Sequence, residues 1–243
     1  MENKDALLTL NKFLADGGVC SRRAAVELIK DGKIQVNGKV VEDPAYRVKI
    51  TDKVKYNERY VKLDTKKFYV LLNKPKNAVT TVSDPLGRRT VLDVVQVGPL
   101  KKIRMFPIGR LDKDTTGVLL LTNDGEFAQR LAHPSNKISK VYHVTLNKEF
   151  LEKDLAKLKA GIRLADGTIK PDRIFFLKSK KSDKSILSVQ LHSGKNRIIK
   201  RMFEKLRYRV SKLDRVSFAG ITKVGMKPGE FRKLTANEMK KLV

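Results

Sequence analysis

The residues best placed to do chemistry lie in one short run, Gly109-Arg110-Leu111-Asp112-Lys113-Asp114-Thr115. It offers a guanidinium and carboxylates, the groups of polar catalysis. Val118 to Leu121 follows, an unbroken apolar stretch that predicts a strand buried on both faces. Turn formers close it at Asn123-Asp124-Gly125. A rigid buried strand holding a charged loop is a common way to position reactive groups. A bare Arg-Leu-Asp would read as a solvated turn with an Arg–Asp pair; here the whole run from Phe106 to Gly125 matters. The three histidines, His133, His143 and His192, are scattered and read as structural or surface residues. No Cys/His spacing suggests a metal.

The rest of the chain must hold and steer that loop. Its 243 residues predict one or two domains, and 41% hydrophobic content is enough for a core. Lys and Arg number 53 against 26 Asp and Glu, a net charge of +27. Such a charge speaks of partners rather than fold, and the obvious partner is a phosphate backbone. An anionic membrane surface is the alternative, but no long apolar segment or signal peptide is present. The charge is uneven. Residues 1–63 hold 13 Lys+Arg and 9 Asp+Glu, the remainder 40 and 17. The larger part should therefore make most of the phosphate contacts. The single cysteine, Cys20, excludes an internal disulfide and fits a reducing cytoplasm.

Residues 1–8 read as a loose start. Leu10, Phe13 and Leu14 stand at helical spacing, and Gly17-Gly18 ends that helix. Ser21 is an N-cap for a second helix, Arg22 to Ile29. Ile34 and Val36 alternate with polar neighbours, and Asn37-Gly38 makes a tight hairpin to Val40-Val41. Helix, helix and hairpin, with Arg22, Arg23, Lys30 and Lys33 clustered, read as a small RNA-binding module over residues 1–62, though the bare pattern fits any small α+β domain. A short charged linker lies near Lys62 to Lys67, and a second domain spans residues 66–243. There, Phe68 to Asn73 is β-rich and is broken by Lys74-Pro75. Val91 to Val95 is a short helix or turn. Asp124 caps a helix from Glu126 to Ala132. Lys140 to Leu146 and Ile186 to Leu191 alternate as strands, and Leu151 to Leu158 is an amphipathic helix. Lys178 to Lys184 reads as a solvated basic loop. After His192-Ser193-Gly194-Lys195-Asn196-Arg197 comes a basic helix with Met202, Phe203 and Leu206 on its apolar face. Thr235 and Glu238 form a capping box for a last helix.

The first domain resembles an S4 RNA-binding domain. The likeness lies in Leu10 to Ala15, in Cys20-Ser21-Arg22-Arg23 and in Gly32 to Val41. It implies contacts to folded RNA through Arg22 and Arg23, which would otherwise be an ordinary solvated helix face. The central run closely resembles the catalytic motif of pseudouridine synthases. That motif reads Gly-Arg-Leu-Asp, two free positions, Thr, one free position, Gly, then an apolar strand ending in Thr-Asn-Asp-Gly. Every fixed position is met here. The resemblance covers nearly the whole chain and is strongest to the branch that modifies ribosomal RNA. Leu71-Leu72-Asn73-Lys74-Pro75 is a typical start of that catalytic domain, and Lys140-Val141-Tyr142 matches its Lys-x-Tyr. The segment Thr80 to Val91, with Arg88 and Arg89, is similar to one that lines the RNA path. The later basic motif departs from the family: Lys195 replaces the usual Arg, and Ile198 the usual Gln. The first change keeps charge but loses the planar fork; the second removes a hydrogen-bonding amide. The resemblance implies an α+β protein: a small S4-like helix-helix-hairpin domain, plus a catalytic domain with a mixed, mainly antiparallel sheet and its cleft between two halves of that sheet.

The implied reaction isomerises uridine. The N1–C1′ bond breaks, the base rotates, and a C5–C1′ bond forms. Nothing is added, so no cofactor is needed. By resemblance Asp112 is the nucleophile, or a base at the ribose, and Asp114 at a free position is its rival. Lys200 is the cation that keeps Asp112 ionised in an apolar pocket. Tyr142 stacks on the extruded base, and its hydroxyl helps remove the C5 proton. Arg110 fills the gap left by that base, holds a flanking phosphate, or makes a structural salt bridge. Arg88, Lys195 and Arg197 are further RNA-contact candidates. The implied partner is ribosomal RNA or a ribosomal assembly particle, met by a cytoplasmic monomer without membrane or small-molecule cofactor. Thr80 to Pro85 and Lys195-Asn196-Arg197 lean towards the type B enzymes of the large ribosomal subunit, hence 23S rRNA. A 16S rRNA enzyme is the runner-up. A non-catalytic RNA-binding assembly factor is the rival from another class.

Overall fold

The structure, a computed structural model, describes residues 7–63, 66–101, 103–177 and 183–242. Residues 1–6 of the expected loose start, 64–65 of the linker and 178–182 of the basic run lie outside the described residues. The chain divides into two compact units, Met1–Lys67 and Phe68–Val243.

The first unit runs β1 (Leu7–Thr9), α1 (Leu10–Asp16), α2 (Arg22–Lys30), β2 (Ile34–Val36), β3 (Lys39–Val40), β4 (Arg47–Lys49), β5 (Val54–Tyr56) and β6 (Arg59–Tyr60). Ser21 Oγ accepts from the Ala24 N–H at 3.0 Å and so caps α2. Leu10, Phe13 and Leu14 of α1 close a core with Ala25 and Ile29 of α2 and with Ile34 and Val36 of β2. The expected hairpin is one corner of a four-stranded sheet ordered β3-β2-β5-β6. A second hairpin turns through Asn57 and Glu58, both at positive φ. Without a glycine that turn leaves no clear signal in the sequence. Arg22 and Arg23 are exposed on the first turn of α2.

The second unit runs β7 (Tyr69–Lys74), α3 (Val91–Val95), β8 (Phe106–Ile108), β9 (Thr116–Thr122), α4 (Gly125–Ala132), β10 (Lys140–Leu146), α5 (Glu152–Ala160), β11 (Ile162–Leu164), β12 (Gly167–Ile169), β13 (Arg173–Phe176), β14 (Ile186–Leu191), α6 (Ile198–Lys205), β15 (Val210–Phe218), β16 (Ile221–Thr222), β17 (Phe231–Lys233) and α7 (Ala236–Lys240). Its main sheet is ordered β13-β14-β10-β15-β9-β7-β17, with β8 beside β9 and β16 beside β15. The sheet is mixed and mainly antiparallel, as expected. Val118 to Leu121 is buried on both faces: Leu119 and Leu121 enter one apolar cluster, Val118 and Leu120 another. Asp124 Oδ1 caps α4 by accepting from the Phe127 N–H at 3.1 Å.

The strand β15 joins two half-sheets. It pairs antiparallel with β10, and parallel with β9 only over Asp214↔Thr116 and Arg215↔Gly117. This seam is tight. Gly117 sits at φ +110, and a Cβ there would collide with the Arg215 backbone, so glycine is needed. Thr116 Oγ1 donates to Asp214 Oδ1 at 2.7 Å, and Lys223 Nζ donates to the same oxygen at 2.6 Å. Tyr142 on β10 packs against the apolar clusters of both halves.

Candidate active site

Between β8 and β9 the chain passes through the charged loop, Gly109 to Thr115. The segment after β7 holds this loop from beneath. Lys74 is fully buried at the end of β7. Its Nζ donates to the carbonyls of Pro75 at 3.1 Å, Lys113 at 3.3 Å and Thr115 at 2.9 Å. Burial pushes the Lys74 ammonium down to about 8, against the pull of Asp114 and Asp112. Thr80 Oγ1 donates to the Leu111 carbonyl at 2.8 Å and accepts from the Leu111 N–H at 3.3 Å. The Asn77 N–H donates to the Lys113 carbonyl at 2.9 Å. In sequence Lys74-Pro75 reads as a strand breaker and Thr80 as part of a surface loop. In the structure both residues prop the loop that carries Asp112.

The helix α6 brings Lys200 against the other side of that loop. Lys200 is 6% exposed. Its Nζ lies 3.1 Å from Asp112 Oδ2 and 2.8 Å from each oxygen of Asp114. The structure brings Lys200 to Asp112, and adds a closer, two-pronged pairing with Asp114. Hydrogen bonds from Lys200 hold the Asp114 carboxyl below the usual carboxylate range, overcoming its partial burial. The Asp112 carboxylate accepts from no other described residue, so its Oδ1 stays uncommitted, while its main-chain carbonyl accepts from the Thr115 N–H at 3.1 Å.

Asp112, Arg110 and Tyr142 line a cavity of about 320 Å³. Leu111, Ile198, Ile199 and Leu213 give it apolar walls. Ile198, which stands where the family usually has Gln, therefore adds apolar surface to the cavity. The Tyr142 hydroxyl makes no hydrogen bond with any described residue, which leaves it free for a bound molecule. Lys140 and Arg215 are among the cations that also line the cavity, with Lys195 and Arg197. Lys140 Nζ donates to the carbonyls of Ile138 at 3.1 Å and His192 at 2.7 Å. Burial, then the Arg215 charge, push it down to about 8, while Asp172 pulls it up.

A groove extends from Asp112 and Asp114 past Thr81, Arg88, Lys195 and Arg197. Arg88 is stapled to Asp84, with Nε and Nη2 donating at 3.0 and 2.7 Å. Lys195 donates to the Asp166 carbonyl, and Arg197 lies 3.6 Å from Glu204. Arg110 is exposed and makes no ion pair with any described residue, so the salt-bridge reading of this residue is withdrawn. Arg22 and Arg23 belong to the first unit. Among the described residues no group of three or more His, Cys, Asp or Glu side chains is placed to hold a metal ion.

The chain belongs to the RNA pseudouridylate synthase family, which matches residues 68–205. Ahead of that stretch, residues 8–54 match the S4 domain. The chain is 42% identical to ribosomal large subunit pseudouridine synthase B of Bacillus subtilis (strain 168), over 96% of this chain and 94% of that one. It is 37% identical to an uncharacterized RNA pseudouridine synthase of Aquifex aeolicus (strain VF5), over 96% of this chain and 92% of the relative. Among solved structures, a crystal structure of pseudouridylate synthase superposes with a TM-score of 0.69 at 28% identity, covering 97% of this chain and all of the other.

Proposed function

We propose that this enzyme isomerises a specific uridine of ribosomal RNA, in the 23S RNA of the large subunit, with Asp112 as the nucleophile. The observation that carries this reading is the pair of Asp112 and buried Lys200, 3.1 Å apart at a cavity that Tyr142 also lines. A buried ammonium 3.1 Å from the Asp112 carboxylate offsets its charge at the apolar cavity and fixes the direction from which it is approached. The target uridine leaves its stack to reach Asp112. Tyr142 offers a ring for stacking and an uncommitted hydroxyl for the C5 proton. The basic groove lined by Arg88, Lys195 and Arg197, with Arg110 at its edge, suits the flanking phosphates. The S4 match supports a role for Arg22 and Arg23 on folded RNA. The large-subunit assignment rests on the relative of 42% identity and its name. The enzyme acts as a cytoplasmic monomer on rRNA or an assembly particle.

The test is a map of pseudouridines in ribosomal RNA by carbodiimide treatment and primer extension. Cells lacking the protein are compared with cells given wild type or Asp112→Asn. One 23S site should vanish in the deletion, return with wild type and stay absent with Asp112→Asn. A lost site in 16S RNA instead would reassign the substrate. An unchanged map would leave a non-catalytic assembly factor.

A further inference from the structure

Among the described residues, the buried side-chain polar atoms without a hydrogen-bond partner are Thr115 Oγ1, Arg201 Nε and Arg215 Nη2. Thr115 and Arg215 both line the cavity that holds Asp112 and Tyr142. A buried donor left without an acceptor costs on the order of 1–3 kcal/mol and calls for an explanation. Arg215 is 1% exposed. Its Nε donates to the Val118 carbonyl at 2.7 Å, which fixes the guanidinium across the seam between β15 and β9. Its Cζ lies 4.8 Å from the centroid of the Phe218 ring. No described carboxylate forms an ion pair with it. The sheet register sets Arg215 directly opposite Tyr142 on β10, so the two side chains leave the same face. A buried, rigidly held and uncompensated cation thus stands across from the tyrosine assigned to the base.

We propose that Arg215, together with Thr115, donates hydrogen bonds to the carbonyl oxygens of the extruded uracil and stabilises the negative charge on the ring after its bond to the sugar breaks. This rests on the reading of Asp112 given above. In that reading the electron pair of the N1–C1′ bond goes to the base. Asp112 either supplies a new pair to C1′ or takes the C2′ proton, leaving a C1′–C2′ double bond. By both routes the ring carries one negative charge, shared by N1, O2 and O4. When C5 bonds to C1′, the carboxylate is released or the C2′ proton is returned. C5 then gives up its proton and N1 gains one, so atoms and charge balance. A uracil anion among apolar walls is costly without a donor. A guanidinium already fixed in place needs no reorganisation at the moment of bond breaking.

The test uses the leaving group. A 5-fluoro substituent withdraws electrons, so the ring departs more easily and depends less on an anion stabiliser. Ribosomal RNA transcripts made with uridine or with 5-fluorouridine are treated with excess enzyme, and rearrangement at the target is followed by digestion and chromatography with mass detection. Arg215→Met should fall about a hundredfold or more on uridine, and at least tenfold less on the fluorinated base. RNA retention on filters should stay unchanged. Equal falls on both bases, or no fall, would overturn the proposal. Arg215 also holds the Val118 carbonyl, so melting is recorded alongside. If Arg215→Met unfolds, Thr115→Val carries the same comparison, because it keeps the shape and removes a hydroxyl that bonds nothing. Thr115→Val should lose about fivefold on uridine and less on the fluorinated base; equal loss, or none, rejects the proposal. Asp112→Asn should be inactive on both transcripts. With that result in hand, a failed leaving-group comparison counts against Arg215 and Thr115 alone.

Discussion

Lys200 serves two carboxylates at once, so substitutions at Asp112 and Asp114 should part company. In Asp114→Asn the ammonium turns wholly to Asp112, and product formation should fall less than about tenfold under single-turnover conditions. A loss as complete as that of Asp112→Asn would hand the nucleophile's role to Asp114. Lys200→Ala should impair turnover more than RNA binding; a defect confined to binding would reduce Lys200 to a phosphate contact. Lys74 acts at one remove, through the carbonyls it bonds. Lys74→Met should lower kcat roughly a hundredfold by letting the loop shift, with KM little changed; a matching rise in KM would point to the RNA path instead. Asp112, Tyr142 and Lys200 were legible in the sequence because they occupy fixed positions of long motifs. Asp114 was legible only as a rival carboxylate at a free motif position, and only the fold shows Lys200 dividing its donors between the two. Nothing local to Lys74 says that its ammonium turns back beneath a loop some forty residues later. Arg215 is hidden in the same way, as one basic residue in a strand of a very basic chain.

Elements with their own end signals were readable, and elements defined by distant pairing were not. The capping box of α7 is an example of the first kind. Thr235 Oγ1 accepts from the Glu238 N–H at 3.2 Å, and Glu238 accepts from the Thr235 N–H at 2.9 Å. Arg232 on β17 adds two hydrogen bonds of 2.7 Å to the Glu238 carboxylate. That pairing, foremost, holds the Glu238 carboxyl down to about 2. The folded value lies below the unfolded one, so the stabilisation is complete above about 4.5 and is lost as pH falls towards 2. Glu238→Gln should therefore melt a few degrees below wild type at pH 7, for a loss of about 1–2 kcal/mol. The gap should close by about pH 2; a gap that persists there would show that packing, not charge, holds α7. The seam belongs to the second kind. Two residue pairs link β15 to β9, and Thr116 and Asp214 stand 98 residues apart. No periodicity or turn signal marks such a contact.

At the scale of the whole molecule, the net charge of +27 predicts binding that weakens steeply with salt. With six to ten phosphate contacts, affinity for rRNA should drop about 10³–10⁵-fold between 50 and 200 mM salt; a flat response would detach the charge from phosphate recognition. Removing residues 1–62 should leave the second unit folded, since its apolar clusters draw on none of them. Affinity for rRNA should weaken; unchanged affinity and site choice would deny the first unit its part. The order of the strands also has a consequence in time. Synthesis delivers β7, β8 and β9, then β10, β13 and β14, before β15 exists. Until Val210–Phe218 has emerged, no strand pairs with both half-sheets, and the cavity that the Asp112 loop shares with Tyr142 lacks Leu213, Arg215 and Phe218. Later still, β17 covers the outer edge of β7, the first strand of the second unit. A nascent chain that has not yet made Val210–Phe218 thus carries the charged loop and the tyrosine strand without the one strand that pairs with both β10 and β9.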